Sequence, residues 1–228
     1  MTAASASGDD AASARVRTYS ARRGRLSALT LDRLAWFGPA RLVTEGPLDP
    51  SATFGRVAPL VLEVGCGHGA AAIEYARTHP EHDVLAVDVH TPGIARMLAA
   101  ADAAAVPNLR VVVGDAVAVL AERLPPGRTA AVHLFFPDPW PKNKHAKRRF
   151  VGADTLTLLA ASLTDDGFVL VSTDQEAYAA HVRAQVARHG AFVVRVGERP
   201  AWRPVDGFEA KALAAGGAIV DLRLERRR

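Results

Sequence analysis

Four acidic residues stand where short apolar runs give way to polar turns: Glu63, Asp88, Asp115 and Asp138. Glu63 opens the run Glu63-Val64-Gly65-Cys66-Gly67-His68-Gly69. Glycines let a chain turn tightly and let a ligand lie directly on the backbone. Asp88 comes 23 residues after Gly65, a spacing at which a carboxylate can accept both hydroxyls of a ribose. The loop on its own fits G-x-G-x-x-A, so a dinucleotide fold or a bare strand-to-helix turn remains open. Asp115 could cap the next helix or mark an adenine pocket, and the residues leave both readings open.

The fourth carboxylate sits in Phe135-Phe136-Pro137-Asp138-Pro139-Trp140-Pro141-Lys142. Two prolines fix the backbone on either side of Asp138. Beyond Trp140 comes Asn143-Lys144-His145-Ala146-Lys147-Arg148-Arg149, with four cations and no acid. Such a run is usually a solvated face. Directly past a candidate site it reads as a phosphate-binding strip, with Lys144, Lys147 and Arg148 as RNA-binding residues. Trp140 could stack on a base or simply pack.

These residues need a scaffold that brings strand ends together. From Leu60 onward short apolar runs alternate with helical ones. LVLEV (60–64), VLAVDV (84–89), LRVVV (109–113), AVHLFF (131–136), FVLVST (168–173), FVVRV (192–196) and AIVDLRL (218–224) read as strands. Helices are expected over 70–79, from Thr91 as N-cap to 105, after Asp115, near 154–163 and over 175–189. No helix is expected between the last two strands, so one of them should run antiparallel. The pattern predicts an α/β fold with a mostly parallel sheet covered on both faces. Ligands of such sheets lie at the carboxyl ends of the strands, where the four carboxylates fall. Glu63, inside a strand end, could meet an ammonium group, and that favours S-adenosylmethionine over NAD.

Composition limits the alternatives. With 228 residues and 49% hydrophobic content, the chain can bury a sizeable core. The net charge of +4 only mildly favours an anionic partner. The single cysteine, Cys66, excludes a disulfide framework and fits a reducing compartment. No apolar run reaches the ~18 residues of a membrane span, and the start lacks a secretory signal, so a cytoplasmic location is expected. The eight histidines show no metal-ligand spacing, and no obligatory protein partner is evident. The organisation expected is a disordered tail over 1–14, a basic segment and connector over 15–58 (with Arg15, Arg17, Arg22, Arg23 and Arg25), and one domain over 59–228.

LEVGCGHG, VDVH, GDA, LFFPDPWPKNKHAKRR, STD and RPVDGFE occur together in one order and spacing. In this the chain resembles the bacterial tRNA (guanine-N7)-methyltransferases, from about Val16 to the C-terminus. FFPDPW followed by x-K and a basic run is specific to that family, whereas the glycine loop is shared by class I methyltransferases. The resemblance implies a Rossmann-like, seven-stranded class I methyltransferase fold. It implies S-adenosyl-L-methionine as cofactor and tRNA as partner, with methylation at N7 of guanine 46 in the variable loop. By position, Glu63, Gly65, Asp88, Asp115 and Asp138 correspond to cofactor-binding residues, and Asp138 also to the catalytic residue. Lys142 and Asp174 match substrate-binding positions. Asp206, Phe208 and Glu209 match a substrate-contacting T-x-F-E motif. Asp206 stands where that motif has threonine, which removes its hydroxyl.

Overall fold

The computed structural model describes residues 18, 19, 25–205 and 207–227. The expected tail over 1–14, Arg15, Arg17, Arg22, Arg23, Asp206 and Arg228 lie outside the described residues. Seven strands form one sheet: β1 (Leu60–Val64), β2 (Asp83–Asp88), β3 (Leu109–Val113), β4 (Thr129–Phe135), β5 (Leu163–Thr173), β6 (Phe192–Val196) and β7 (Val220–Arg226). Their order is β3-β2-β1-β4-β5-β7-β6. β1 to β5 run parallel, and β7 is antiparallel to both of its neighbours. The seven-stranded, mostly parallel sheet expected from the sequence is therefore present.

β1 is buried along its whole length, as expected of a central parallel strand covered on both faces. Alternate side chains feed two cores. Leu60, Leu62 and Val64 join one with Leu134, Leu156, Val171 and Tyr178. Val61 joins the other with Tyr75, Val84, Ile94, Met97 and Leu98. Helices α1 (Ala28–Arg41), α3 (Ala70–Thr78) and α4 (Thr91–Ala103) serve the second core. On α4, Ile94, Ala95, Met97, Leu98 and Ala101 are buried, a helical repeat that turns one apolar stripe inward. Each large side chain so buried contributes roughly 1.5–3 kcal/mol. Helices α6 (Ala153–Ser162) and α7 (Glu176–His189) cover the other face, and Gly190, at φ 81°, ends α7.

Two expectations need correction. The connection between β6 and β7 contains a helix, α8 (Gly207–Ala214); its Ala/Gly-rich sequence has no apolar stripe to betray it. Thr91 is the first helical residue of α4 and His90 is the N-cap, without a side-chain cap bond. Asp115 does cap the next helix, α5 (Ala116–Ala118), accepting from the Val117 amide at 3.0 Å. α5 continues as a π-helical turn over Val119–Arg123. The connector before β1 holds the short α2 (Pro50–Phe54). α1 is tied to the domain by Arg41, whose guanidinium donates to the carbonyls of Val106 and Ala101. Leu42 then bridges to Val111 of β3.

Candidate cofactor pocket and nucleic-acid interface

The carboxyl ends of β1 to β5 lie side by side, so Glu63, Asp88, Asp115, Asp138 and Asp174 gather along one edge of the sheet. At the β1 end the glycine loop takes left-handed turns at Gly65 (φ 71°) and Gly67 (φ 58°). A Cβ at either glycine would meet nothing within 4 Å. The backbone there faces open space, as a loop that receives a ligand must. Beneath the loop α4 passes so close that a Cβ at Gly93 would lie 2.6 Å from the carbonyl oxygen of Gly67.

Asp88 locks this loop. One carboxylate oxygen accepts from the Gly67 amide at 2.7 Å, the other from the His90 amide at 2.7 Å. Each oxygen has a second lone pair, so the carboxylate can still accept from a ribose. Asp115, half-buried at the end of β3, uses one oxygen as the helix cap. The cap thus accounts for its local role without excluding a pocket wall.

Glu63 is 3% exposed. Burial pushes its carboxyl up to about 8, offset in part by a hydrogen bond from the Ala72 amide and reinforced by the nearby Asp88 charge. Its Oε2 has no hydrogen-bond partner among the described residues. Cys66 is buried in the same loop, and burial holds its thiol well above the usual range. That leaves it a packing residue without nucleophilic character. The open glycine cradle, the Asp88 carboxylate and the orphaned Glu63 oxygen together fit a nucleoside bearing an ammonium group.

The β4 end is built differently. Phe136 (φ 50°) and Trp140 (φ 41°) adopt left-handed backbone although neither is glycine. Each such residue costs about 1–3 kcal/mol and persists only where its surroundings over-determine it. Here the Phe136 amide donates to the Ser172 carbonyl at 2.8 Å. The Arg149 guanidinium donates to the carbonyls of Pro139 and Trp140 at 3.0 and 3.2 Å. The loop so held carries Asp138 exposed at its tip.

The basic run splits into distinct roles. Lys142, Lys144 and Lys147 are exposed, the last two on a 3-10 helix over Asn143–Arg148. Arg149 braces the loop, and Arg148 lies 3.6 Å from the centroid of the Trp140 ring. Arg148 also donates to the Tyr19 carbonyl at 2.8 Å, and the Trp140 indole to that of Thr18 at 3.4 Å. Trp140 packs at least partly, then, against the N-terminal segment. Asp174 ends β5 half-buried. It does not cap α7, since Gln175 takes that position.

Sequence reasoning missed a buried ionic cluster behind this loop. Arg203 is 3% exposed and Glu209 1% exposed. Arg203 pairs with Glu209 at 3.1 Å and with Asp221 at 2.7 Å, and donates to Ser172. Arg199 adds a second pair to Glu209 at 2.6 Å. The Arg203 guanidinium also sits 5.1 Å from the Phe135 ring centroid and 5.7 Å from that of Phe136. Glu209 therefore turns inward, whereas Phe208 is 64% exposed. Arg203 opens the RPVDGFE motif, but no periodicity there marks it as buried.

Among the described residues no group of side chains is arranged to hold a metal, and no helix is long and apolar enough to cross a membrane. The fold is similar to that of a 16S rRNA (adenine(1408)-N(1))-methyltransferase from Catenulisporales acidiphilia, with a TM-score of 0.57 and 18% identity over 80% of this chain and 93% of that one. It is also similar to the 16S rRNA methyltransferase KamB, at a TM-score of 0.54 and 16% identity over 81% and 96%. Residues 57–222 match the family described as "Putative methyltransferase". A tRNA (guanine-N(7)-)-methyltransferase of Thiobacillus denitrificans is 38% identical over 96% of this chain and 99% of its own length. One of Leifsonia xyli subsp. xyli is 41% identical over 91% and 94%. With a class I methyltransferase fold, a glycine cradle flanked by carboxylates and near full-length relatives of one kind, the chain belongs to the tRNA (guanine-N7)-methyltransferase family.

Proposed function

We propose that this protein transfers a methyl group from S-adenosyl-L-methionine to N7 of guanine 46 in the variable loop of tRNA. The observation that carries the reading is exposed Asp138 on the braced loop after β4, the strand beside β1, with three exposed lysines following it in the chain. Bound in the cradle, the cofactor supplies an electrophilic methyl group on a sulfonium. Asp88 would hold its ribose, Glu63 its ammonium group, and Asp115 would border the adenine. Gly65 and Gly67 leave the backbone free to lie against it.

Guanine N7 carries a lone pair and no proton, so attack needs no general base. The work left to the protein is alignment and electrostatics. Asp138 accepts hydrogen bonds from the N1–H and amino edge of the guanine, and its charge favours the cationic product ring. Lys142, Lys144 and Lys147 hold phosphates, with Asp174 and Phe208 bordering the base. Glu209 acts on this region through Arg203 and Arg199. A tRNA substrate agrees with the cytoplasmic location expected from the sequence.

The test uses an unmodified tRNA transcript and labelled S-adenosylmethionine. Label is expected in a product that cleaves at position 46 under the borohydride–aniline chemistry specific to N7-methylguanosine. A transcript with adenosine at 46 should take up none. Equal labelling of both transcripts would overturn the position, and no labelling of either would overturn the reaction.

A further inference from the structure

Two buried polar atoms without a hydrogen-bond partner face one another under the glycine cradle: Glu63 Oε2 and His133 Nδ1. They lie 3.9 Å apart, on strands where Glu63 and His133 are register partners. Both residues are nearly sealed from solvent, at 3% and 1% exposure. A buried carboxylate without a compensating cation is costly, and the usual outcome is that it keeps a proton.

Among the described residues, the groups around Glu63 supply no such cation. β2 contributes the Asp88 carboxylate, the loop the Cys66 thiol, and α3 the Ala72 amide. His133 is itself ringed by Tyr75, Phe135 and Trp202. His79 and His82 near the end of α3, and the Arg203 guanidinium, all disfavour a charge on it. Burial and these neighbours hold its imidazole down to about 3. Neither residue is thus placed to be the other's counter-ion. Both orphan atoms are satisfied together if Oε2 bears a proton and donates it to Nδ1, once the side chains close by about an ångström to hydrogen-bond distance.

We infer that Glu63 and His133 form a proton-holding pair beneath the cofactor pocket: the empty protein keeps a proton on Glu63, donated toward His133 Nδ1, and binding of the cofactor's ammonium group releases that proton to solvent. This rests on the reading that Glu63 meets the ammonium group. The step balances as carboxylic acid plus ammonium giving a carboxylate–ammonium pair and one proton. His133 is a positioning residue, since it fixes the proton-bearing oxygen without touching the cofactor.

Calorimetry of S-adenosylhomocysteine binding, in buffers of different ionisation enthalpy, reads the proton directly. Close to one proton released per molecule bound is expected at pH 7, falling through half near pH 8. With 5′-methylthioadenosine, which lacks the ammonium group, no release is expected. Glu63→Gln should bind S-adenosylhomocysteine more weakly and abolish the release, and it subtracts any proton taken up by the ligand itself. His133→Phe removes the acceptor, so the midpoint of release should move to lower pH. A thermal melt checks that each variant is folded, and the wild-type measurement stands without them. Weakened binding by Glu63→Gln with no proton release from the wild type would overturn the inference alone. Unchanged binding by Glu63→Gln would overturn the ammonium reading and the inference with it. A midpoint unmoved in folded His133→Phe would remove His133 from the pair.

Discussion

The pocket at β1 and β2 and the loop beyond β4 are both rigid, but for opposite reasons. The first is fixed largely by backbone, with the Asp88 carboxylate as its side-chain lock. Glycines set the turn, two main-chain amides hold Asp88, and α4 closes the floor. The second is fixed by side-chain cations. Arg149 grips two carbonyls, Arg203 braces two aromatic rings, and the left-handed backbone at Phe136 and Trp140 is held against its preference. A site made of backbone tolerates change in most surrounding side chains. A site made of ion pairs is only as secure as each partner. On the function proposed above, the half that takes the cofactor should therefore be robust and the half that takes the substrate easily broken.

The largest break expected is Arg203→Met. It leaves Glu209 buried without its Arg203 pair and Asp221 without its strongest partner. Breaking a buried pair from one side costs about 3–5 kcal/mol. Denaturant unfolding measures it, and a loss below about 1 kcal/mol would mean that the cluster holds nothing in place. Asp138→Ala should come next, with turnover on tRNA reduced by roughly a hundredfold or more, the scale of one lost preorganised electrostatic contact. Because Asp138 is exposed, its melting temperature should stay with the wild type. An active variant would remove Asp138 from the mechanism.

Asp88→Ala probes the backbone-built half. A hydrogen bond to a charged group contributes about 1.5–3 kcal/mol, so S-adenosylhomocysteine should bind about 10- to 150-fold more weakly while tRNA binding is retained. Equal loss of both would show that the two halves are one unit. The smallest effect is expected from replacing Lys142, Lys144 and Lys147 with alanine. The slope of log K for tRNA against log salt should flatten by roughly 0.7–0.9 for each lost phosphate contact, with cofactor affinity unchanged. An unaltered slope would reduce the lysines to solubilising groups.

The unliganded protein should also show its buried pair in stability against pH. Glu63, raised to about 8, makes the folded state retain a proton that the unfolded chain loses above the ordinary glutamic range. Its contribution is complete at low pH and fades as the pH rises toward 8. His133, lowered to about 3, acts the other way between pH 3 and its usual 6.5. The two offset one another from about 4.5 to 6.5, and above that only the Glu63 loss remains. Stability should fall between pH 6.5 and 8 in the wild type but not in Glu63→Gln, as pH-dependent melts would record.

The two halves also differed in how legible they were. LVLEV and LRVVV match β1 and β3 to the residue, because short, mostly apolar runs between proline and glycine signals leave little freedom. Glu63, Asp88 and Asp115 stand out in the sequence as candidates because each lies at or just past the end of an apolar run. The β4 loop could be read as a place, from Pro137-Asp138-Pro139, but not as a construction. The sequence has no means of showing that Arg149 turns back on Pro139, or that Arg148 lies on Trp140 rather than on solvent. Arg203 and Glu209 bracket one motif, but Asp221 comes from another stretch, and its pairing with Arg203 exists only once β7 has folded in antiparallel beside β5. α8 escaped because Ala210, Ala212 and Ala214 give no contrast between faces.

The approach of α4 to the glycine loop has an evolutionary side. With the Gly67 carbonyl 2.6 Å from where a Cβ at Gly93 would stand, the floor of the pocket has no slack. A larger residue at 93 would push the loop up into the space meant for ligand, and a lesion there would look like a cofactor defect although position 93 belongs to the helix below. Enlargement of the pocket is closed from underneath. Change in what this pocket accepts has room on its open side, where a Cβ at Gly65 or Gly67 would meet nothing within 4 Å.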